Sequence, residues 1–298
     1  MDLRLKLGMA FLAVYFIWGS TYLAIRFVVE TIPPFFMAGT RFIIAGLMLY
    51  TLTSVRGTTA PTSAHWRDAF VVGGLLLLGG NGAVVWAEQW VPSGLTSLLI
   101  ATTALWMVLL NSLYHRTRPS LGGIFGLLLG FAGVALLVGS IENTGNNNMM
   151  VPAAAVVLLG AFLWAGGSLY SRSAKASLSQ LQPVAMQMIA GGVLLLSASL
   201  ITGEWTRVML DQVSMRSILS WFYLIIFGSL VAFSSYIWLL KHTTPSRVST
   251  YAYINPLVAL ILGMVLAEEA LTTRNVIATI IIILSVAIIT TYPAEREH

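Results

Sequence analysis

The sequence predicts an all-α membrane protein: ten transmembrane helices in two inverted five-helix repeats. Three observations carry that expectation. The chain of 298 residues is 57% hydrophobic and 9% charged, with a mean hydropathy of +0.85. A soluble domain carries about a quarter charged residues, so this chain cannot cover a water-facing surface. Its apolar residues fall into windows of about 20 residues, the length a helix needs to cross a bilayer. One hairpin sequence occurs twice with its charges exchanged. Trp90-Val91-Pro92-Ser93-Gly94-Leu95-Thr96-Ser97 matches Thr243-Thr244-Pro245-Ser246-Arg247-Val248-Ser249-Thr250, with Pro92 and Pro245 153 residues apart (245 − 92). At that offset Glu88 stands opposite Lys241 and Gly94 opposite Arg247. Basic loops stay cytoplasmic, so copies that gain or lose Lys/Arg have inserted in opposite orientations.

The windows in order are 7–29, 34–53, 69–90, 93–114, 121–140, 152–171, 183–202, 218–240, 246–267 and 275–292. The first follows Arg4 and Lys6, as a signal peptide would. It is too long for a signal core of about 7–15 residues, so a retained helix is expected. Proline marks most breaks: Pro33-Pro34, Pro61, Pro92, Pro119, Pro152, Pro183 and Pro245. The polar run Glu142-Asn143-Thr144-Gly145-Asn146-Asn147-Asn148 follows the fifth window. It divides the chain into residues 1–141, a linker at 142–148, and residues 149–298. Five crossings before it force the second half to start from the other side.

Charge placement sets the orientation. With the N-terminus inside, the inner segments hold eleven Lys/Arg: Arg4, Lys6, Arg56, Arg67, Arg116, Arg118, Arg172, Lys175, Lys241, Arg247 and Arg296. The outer segments hold four: Arg26, Arg207, Arg216 and Arg274. Both termini are therefore expected in the cytoplasm. The net charge of +5 is spread over these loops, which is an orientation signal and not a nucleic-acid surface. The chain has no cysteine, which excludes disulfides and thiol chemistry.

The repeat continues elsewhere. Trp18-Gly19-Ser20-Thr21-Tyr22 has a looser echo in Trp164-Ala165-Gly166-Gly167-Ser168-Leu169-Tyr170, and Pro34 with Met37 in Pro183 with Met186. Ile17-Trp18-Gly19-Ser20-Thr21-Tyr22, Met37-Ala38-Gly39-Thr40-Arg41-Phe42, Asn81-Gly82, Ala87-Glu88, Val91-Pro92-Ser93-Gly94 and Tyr251-Ala252-Tyr253-Ile254-Asn255-Pro256 resemble the EamA-type drug/metabolite transporters, and within them the YedA/YddG-like exporters. The resemblance covers nearly the whole chain. It implies ten helices, two EamA units, a central cavity, and export of amino acids or related metabolites across the bacterial inner (plasma) membrane. Thr103 and His115 replace what the second half has as Pro256 and Glu268, which argues against a strictly symmetric site.

Candidate residues follow from chemistry that is costly in a membrane. Tyr15, Trp18 and Tyr22 share one face of the first helix; Trp164, Ser168 and Ser171 share one on the sixth. Trp18 and Trp164 lie too deep in their windows for interfacial anchors and suit a cavity wall that stacks on a solute. Asn81, among Gly79, Gly80 and Gly82, needs a partner in hydrocarbon: a solute or a neighbouring helix. Trp86 and Trp106 are expected to complete the wall. Tyr251 and Asn255 stand one turn apart, followed by Pro256, whose missing N–H permits a bend that gates or simply kinks the helix. Tyr236 and Trp238 on the eighth helix are alternatives to each other. Arg41 is the one basic residue deep inside a window; its expected partner is Glu88, with a solute carboxylate as the alternative. Trp221 is expected to be an interfacial anchor.

Absences narrow the function. No window contains Asp or His, and there is no His-Glu-Xaa-Xaa-His, so an intramembrane enzyme, a metal centre and a cofactor are not expected. The first helix has no acid, unlike the small multidrug exporters that the superfamily resembles in part. One deep Arg is too few for phosphate-bearing lipids or nucleotide sugars, which remain alternatives beside purines and organic cations. The leading expectation is a secondary transporter that exports neutral or zwitterionic metabolites, most of all amino acids, by alternating access. Its partners are a small-molecule substrate and the bilayer. Glycines at four-residue spacing, Gly122, Gly126 and Gly130, suit packing within one bundle, so a monomer is expected ahead of a homodimer.

Overall fold

The computed structural model describes residues 2–55, 60–115, 120–142, 148–173, 181–269 and 272–291. Among these residues the chain is all-helical, without strands. The helical stretches are α1 Leu3–Val28, α2 Pro34–Val55, α3 Ser63–Ala87, α4 Ser93–Tyr114, α5 Leu121–Glu142, α6 Met150–Ser173, α7 Gln182–Ile201, α8 Met215–His242, α9 Tyr251–Ala267 and α10 Thr273–Thr291. Seven of them, α1–α4 and α6–α8, are long and apolar enough to cross a membrane; α5, α9 and α10 contain shorter apolar stretches. Leu128, Leu200, Val265 and Leu284 are exposed on the outside of the bundle, a surface that lipid and not water solvates. Most of the expected linker at 142–148 lies outside the described residues, as do Arg56, Arg116, Arg118, Lys175 and Arg296 of the orientation argument.

Helix ends differ from the hydropathy windows where capping chemistry takes over. α3 begins at Ser63, six residues before its window, because Thr62 and His65 form a reciprocal capping box and carry the helix through a polar first turn. The ninth window, 246–267, is not one helix. A short turn spans Pro245–Val248, and α9 starts afresh at Tyr251. Pro256 lies inside α9, in its second turn, where it removes one backbone bond.

Tight pairs hold the bundle together. α2 packs along α7, and α5 along α10. Glycine makes the first approach close enough: a Cβ on Gly46 would lie 2.9 Å from the Ile189 nitrogen, and one on Gly192 2.9 Å from the Ile43 nitrogen. Gly130 and Gly133 face α10 in the same way, against Ser285 and Ile282. α9 packs on α1 and α4, while α6 packs on α3 and α4.

Among the described residues, three helices widen from α to π geometry near their middles: α1 at Ala13–Ile17, α3 at Gly73–Asn81 and α8 at Leu224–Phe233. A π stretch inserts a residue and leaves backbone carbonyls poorly paired, and such stretches cluster at functional places. The stretches in α3 and α8 fall at nearly the same point of the repeat, since residues 73–81 shift to 226–234 at the hairpin offset.

Candidate functional site

The wide stretches of α3 and α8 both contribute to one cavity, which α1 lines from just after its own. Its lining comprises Trp18, Thr21, Tyr22 and Ile25 of α1, Arg41 and Phe42 of α2, Gly80, Asn81 and Val84 of α3, Ile100 of α4, Trp164 of α6, Gly228 and Phe233 of α8, and Tyr251 of α9. The free volume is about 60 Å³. That is room for a few waters, well short of the roughly 300 Å³ where ligand pockets begin.

An aromatic cluster closes one end. Trp18 stands edge-on to Trp164 at 5.5 Å and to Tyr251 at 5.7 Å, and is tilted against Tyr236 at 4.8 Å. Tyr236 is fully buried and ties the cluster together. The Trp164 Nε1–H donates to its hydroxyl at 3.0 Å, and that hydroxyl shares a 2.6 Å bond with Ser168. Trp18 Nε1–H donates to the Gly228 carbonyl at 3.3 Å, inside the wide stretch of α8. Trp238 instead stacks on His242 at 4.1 Å, so Tyr236 is the α8 aromatic of the cluster.

Two polar atoms on the cavity wall are left over. Arg41 is 3% exposed; its Nε–H donates to the Ser229 hydroxyl at 2.8 Å, while Nη1 has no partner. The Asn81 side-chain oxygen is buried and accepts nothing. A buried unpaired donor or acceptor costs about 1–3 kcal/mol, more for a charged group. Two residues of one lining thus each keep a buried polar atom without a partner, one a donor of a cation and the other a neutral acceptor. Gly80 and Gly228 keep the cavity open: a Cβ on Gly80 would lie 2.5 Å from the Trp164 ring, and one on Gly228 2.9 Å from Arg41 Nη2.

Of the expected wall, Trp18, Asn81, Trp164 and Tyr251 line the cavity, and Trp86, Trp106 and Asn255 do not. Trp86 follows Asn81 by five residues, about 140° round the helix, and packs on Trp90 at 4.7 Å. Trp106 sits beyond the break of α4 at Thr102, between Phe131 at 5.4 Å and Phe162 at 5.3 Å. Asn255 is one turn below Tyr251. Its amide nitrogen reaches the carbonyls of Val14 at 3.2 Å and Tyr15 at 2.9 Å, which the wide stretch of α1 leaves open. It anchors α1 and does not face the cavity. Trp221 is not a plain anchor either, since its Nε1–H donates to the Met37 carbonyl at 3.3 Å.

The expected Arg41–Glu88 pair is not formed. Among the described residues the one ion pair is Arg67–Asp68. Glu88 lies just past the end of α3, fully buried, with both carboxylate oxygens unpartnered. Ser229, the actual partner of Arg41, carried no sequence signal beyond being a hydroxyl inside an apolar run.

A second, more polar chamber of about 260 Å³ lies further along α1 and α3. Val29, Glu30, Thr31 and Ile32 line it just beyond α1, Gln89 just beyond α3, and Glu204, Arg207 and Gln212 from the segment before α8. The Glu204 carboxylate accepts from the N–H groups of Phe35 at 3.3 Å and Phe36 at 2.8 Å, which caps α2.

The EamA-like transporter family matches this chain twice, over residues 6–139 and 151–291. The chain is 36% identical over 283 residues to the uncharacterized inner membrane transporter YedA of Escherichia coli (strain K12), covering 94% of this chain and 89% of YedA. It is 22% identical to the uncharacterized transporter YoaV of Bacillus subtilis (strain 168), covering 93% of this chain and 94% of YoaV. A crystal structure with 20% identity superposes with a TM-score of 0.67 over 96% of this chain and 97% of the other, a likeness of fold. With helices that span a membrane and a family match along both halves, the chain belongs to the EamA-like transporter family and is a multi-pass membrane transporter.

Proposed function

We propose that this transporter exports zwitterionic metabolites, amino acids above all, from the cytoplasm by alternating access. The observation that carries the reading is the pair of unpartnered groups on one cavity wall. Arg41 Nη1 offers a cationic donor to a carboxylate, and the Asn81 oxygen accepts from an ammonium. Trp18, Trp164 and Tyr251 add ring faces for the ammonium and for apolar side chains. A simple cation is disfavoured beside Arg41, which has no ion-pair partner among the described residues. A transported solute must also leave, so binding in the millimolar class, about −4 kcal/mol, is expected.

Ten crossings in two inverted units, 1–141 and 149–298, are part of the proposal. The double family match supports it. So does the packing: α2 meets its counterpart α7 and α5 its counterpart α10, while α1 on α9 mirrors α6 on α4. The basic-residue asymmetry supports cytoplasmic termini. The small free volume supports a shape between two open states, because an amino acid enters only if the halves move.

Counterflow in proteoliposomes tests the reading. Vesicles preloaded with unlabelled amino acids should take up the labelled compounds; purines and quaternary ammonium drugs should exchange poorly. Exchange of the drugs with no amino-acid exchange would overturn it.

A further inference from the structure

Glu88 is a buried acid for which the solute reading has no use. On α1 the central cavity takes positions up to Ile25 and the polar chamber begins at Val29; on α3 they take Val84 and Gln89. Glu88 and Arg26 therefore lie, along these helices, between the residues that line the two spaces, and line neither. Neither carboxylate oxygen of Glu88 has a donor, and the residue is fully buried. Its place at the C-terminal end of α3 surrounds it with carbonyls, the wrong end of the helix dipole for an anion.

The groups facing it are of both signs, and neither makes a bond to its carboxylate. Arg26 and Tyr22 approach from α1, and Glu269 from the connection between α9 and α10. Arg26 donates through Nη1 to the main-chain oxygen of Glu88. Glu269 is itself held at the start of α4, by the Ser93 N–H at 2.7 Å, the Ser93 hydroxyl at 2.8 Å and the Gly94 N–H at 3.0 Å. These donors suit an ionised carboxylate at a helix N-terminus. Arg41 of α2 is turned to Ser229, and the facing part of α6, residues 150–163, has no ionisable side chain. A buried charge beside another carboxyl, without donors, is costly. The neutral acid is not.

We propose that Glu88 is the proton-coupling residue of this transporter, so that solute export is exchanged for proton entry. When the transporter opens on the side of the polar chamber, water reaches the carboxylate and gives it one proton. The acid gives that proton to water in the central cavity once the cavity opens to the opposite face; no other group is consumed. The proposal rests on the central cavity being the solute path.

The full chain, reconstituted in proteoliposomes, tests it with a mixture of labelled L-amino acids as probe. An interior-acid pH gradient should raise initial uptake severalfold over counterflow without a gradient. In Glu88→Gln counterflow should persist and the gradient response should vanish. Wild-type counterflow that ignores the gradient overturns the coupling and leaves the solute reading intact; a gradient response kept by Glu88→Gln also overturns it. Absence of wild-type counterflow rejects the solute reading instead. Infrared spectroscopy decides independently of transport. The wild type at neutral pH should show a carboxylic-acid C=O band that shifts in D₂O and is missing in Glu88→Gln; a wild type without that band overturns the proposal.

Discussion

The central cavity and the pocket around Glu88 each hold a buried ionisable side chain, with opposite surroundings. Arg41 has one firm bond, to Ser229, a ring beneath its guanidinium in Phe42 at 4.6 Å, and a buried donor without a partner on a residue that lines the cavity. Glu88 has neither a donor nor a place on either cavity wall, and a second carboxylate as neighbour. Arginine stays charged in any environment, so its leftover donor is an offer to an anion. A carboxyl has the other course open: it holds its proton. The difference separates a group that binds from a group that titrates.

Substitutions break or sharpen that contrast. Arg41→Met should have the largest effect. Losing a charge-assisted bond of about 1.5–3 kcal/mol weakens solute binding about ten- to hundredfold. At a millimolar site that ends measurable exchange, while yield and detergent melting point should change little. Trp164→Ala comes next, at about 1–2 kcal/mol from lost ring contact, read as a rise in the half-saturating concentration in counterflow. Asn81→Leu should cost about 1 kcal/mol, roughly a fivefold weaker site, and should weaken an amino acid more than its N-acetyl derivative, which lacks the ammonium. The smallest effect is expected for Trp205→Ala. Trp205 is half-exposed, packs on Phe36 at 5.1 Å and is in the lining of neither cavity. It is a better control than Trp221, which braces α2. Equal losses in Trp164→Ala and Trp205→Ala at matched protein levels would remove support for the aromatic wall.

Membrane-spanning helices were legible because hydrocarbon forces the backbone to satisfy itself within each segment, which writes long apolar runs into the sequence. Trp18, Asn81, Trp164 and Tyr251 stood out as wall candidates because deep polar or amphipathic side chains have few other uses. What hydropathy does not encode is helix rotation and height. Trp86 rotates out of the wall, Asn255 sits one turn too low, and Arg41 and Glu88 miss each other. The wide stretches of α3 and α8 add to this, since an inserted residue resets the phase of everything after it and leaves no mark in composition. The cavity charge is also one-sided: by the offset that carries Pro34 to Pro183, Arg41 falls on Ala190.

The central claim is that Arg41 and Asn81 together grip a zwitterion. Competition in counterflow tests it directly, with one amino acid set against its carboxamide and its N-acetyl derivative. The parent should compete well in the wild type, and both derivatives at least several-fold less well. In Arg41→Met the advantage of the parent over the carboxamide should disappear. Derivatives that compete as well as the parent in the wild type, or an unchanged carboxylate preference in Arg41→Met, would contradict the account.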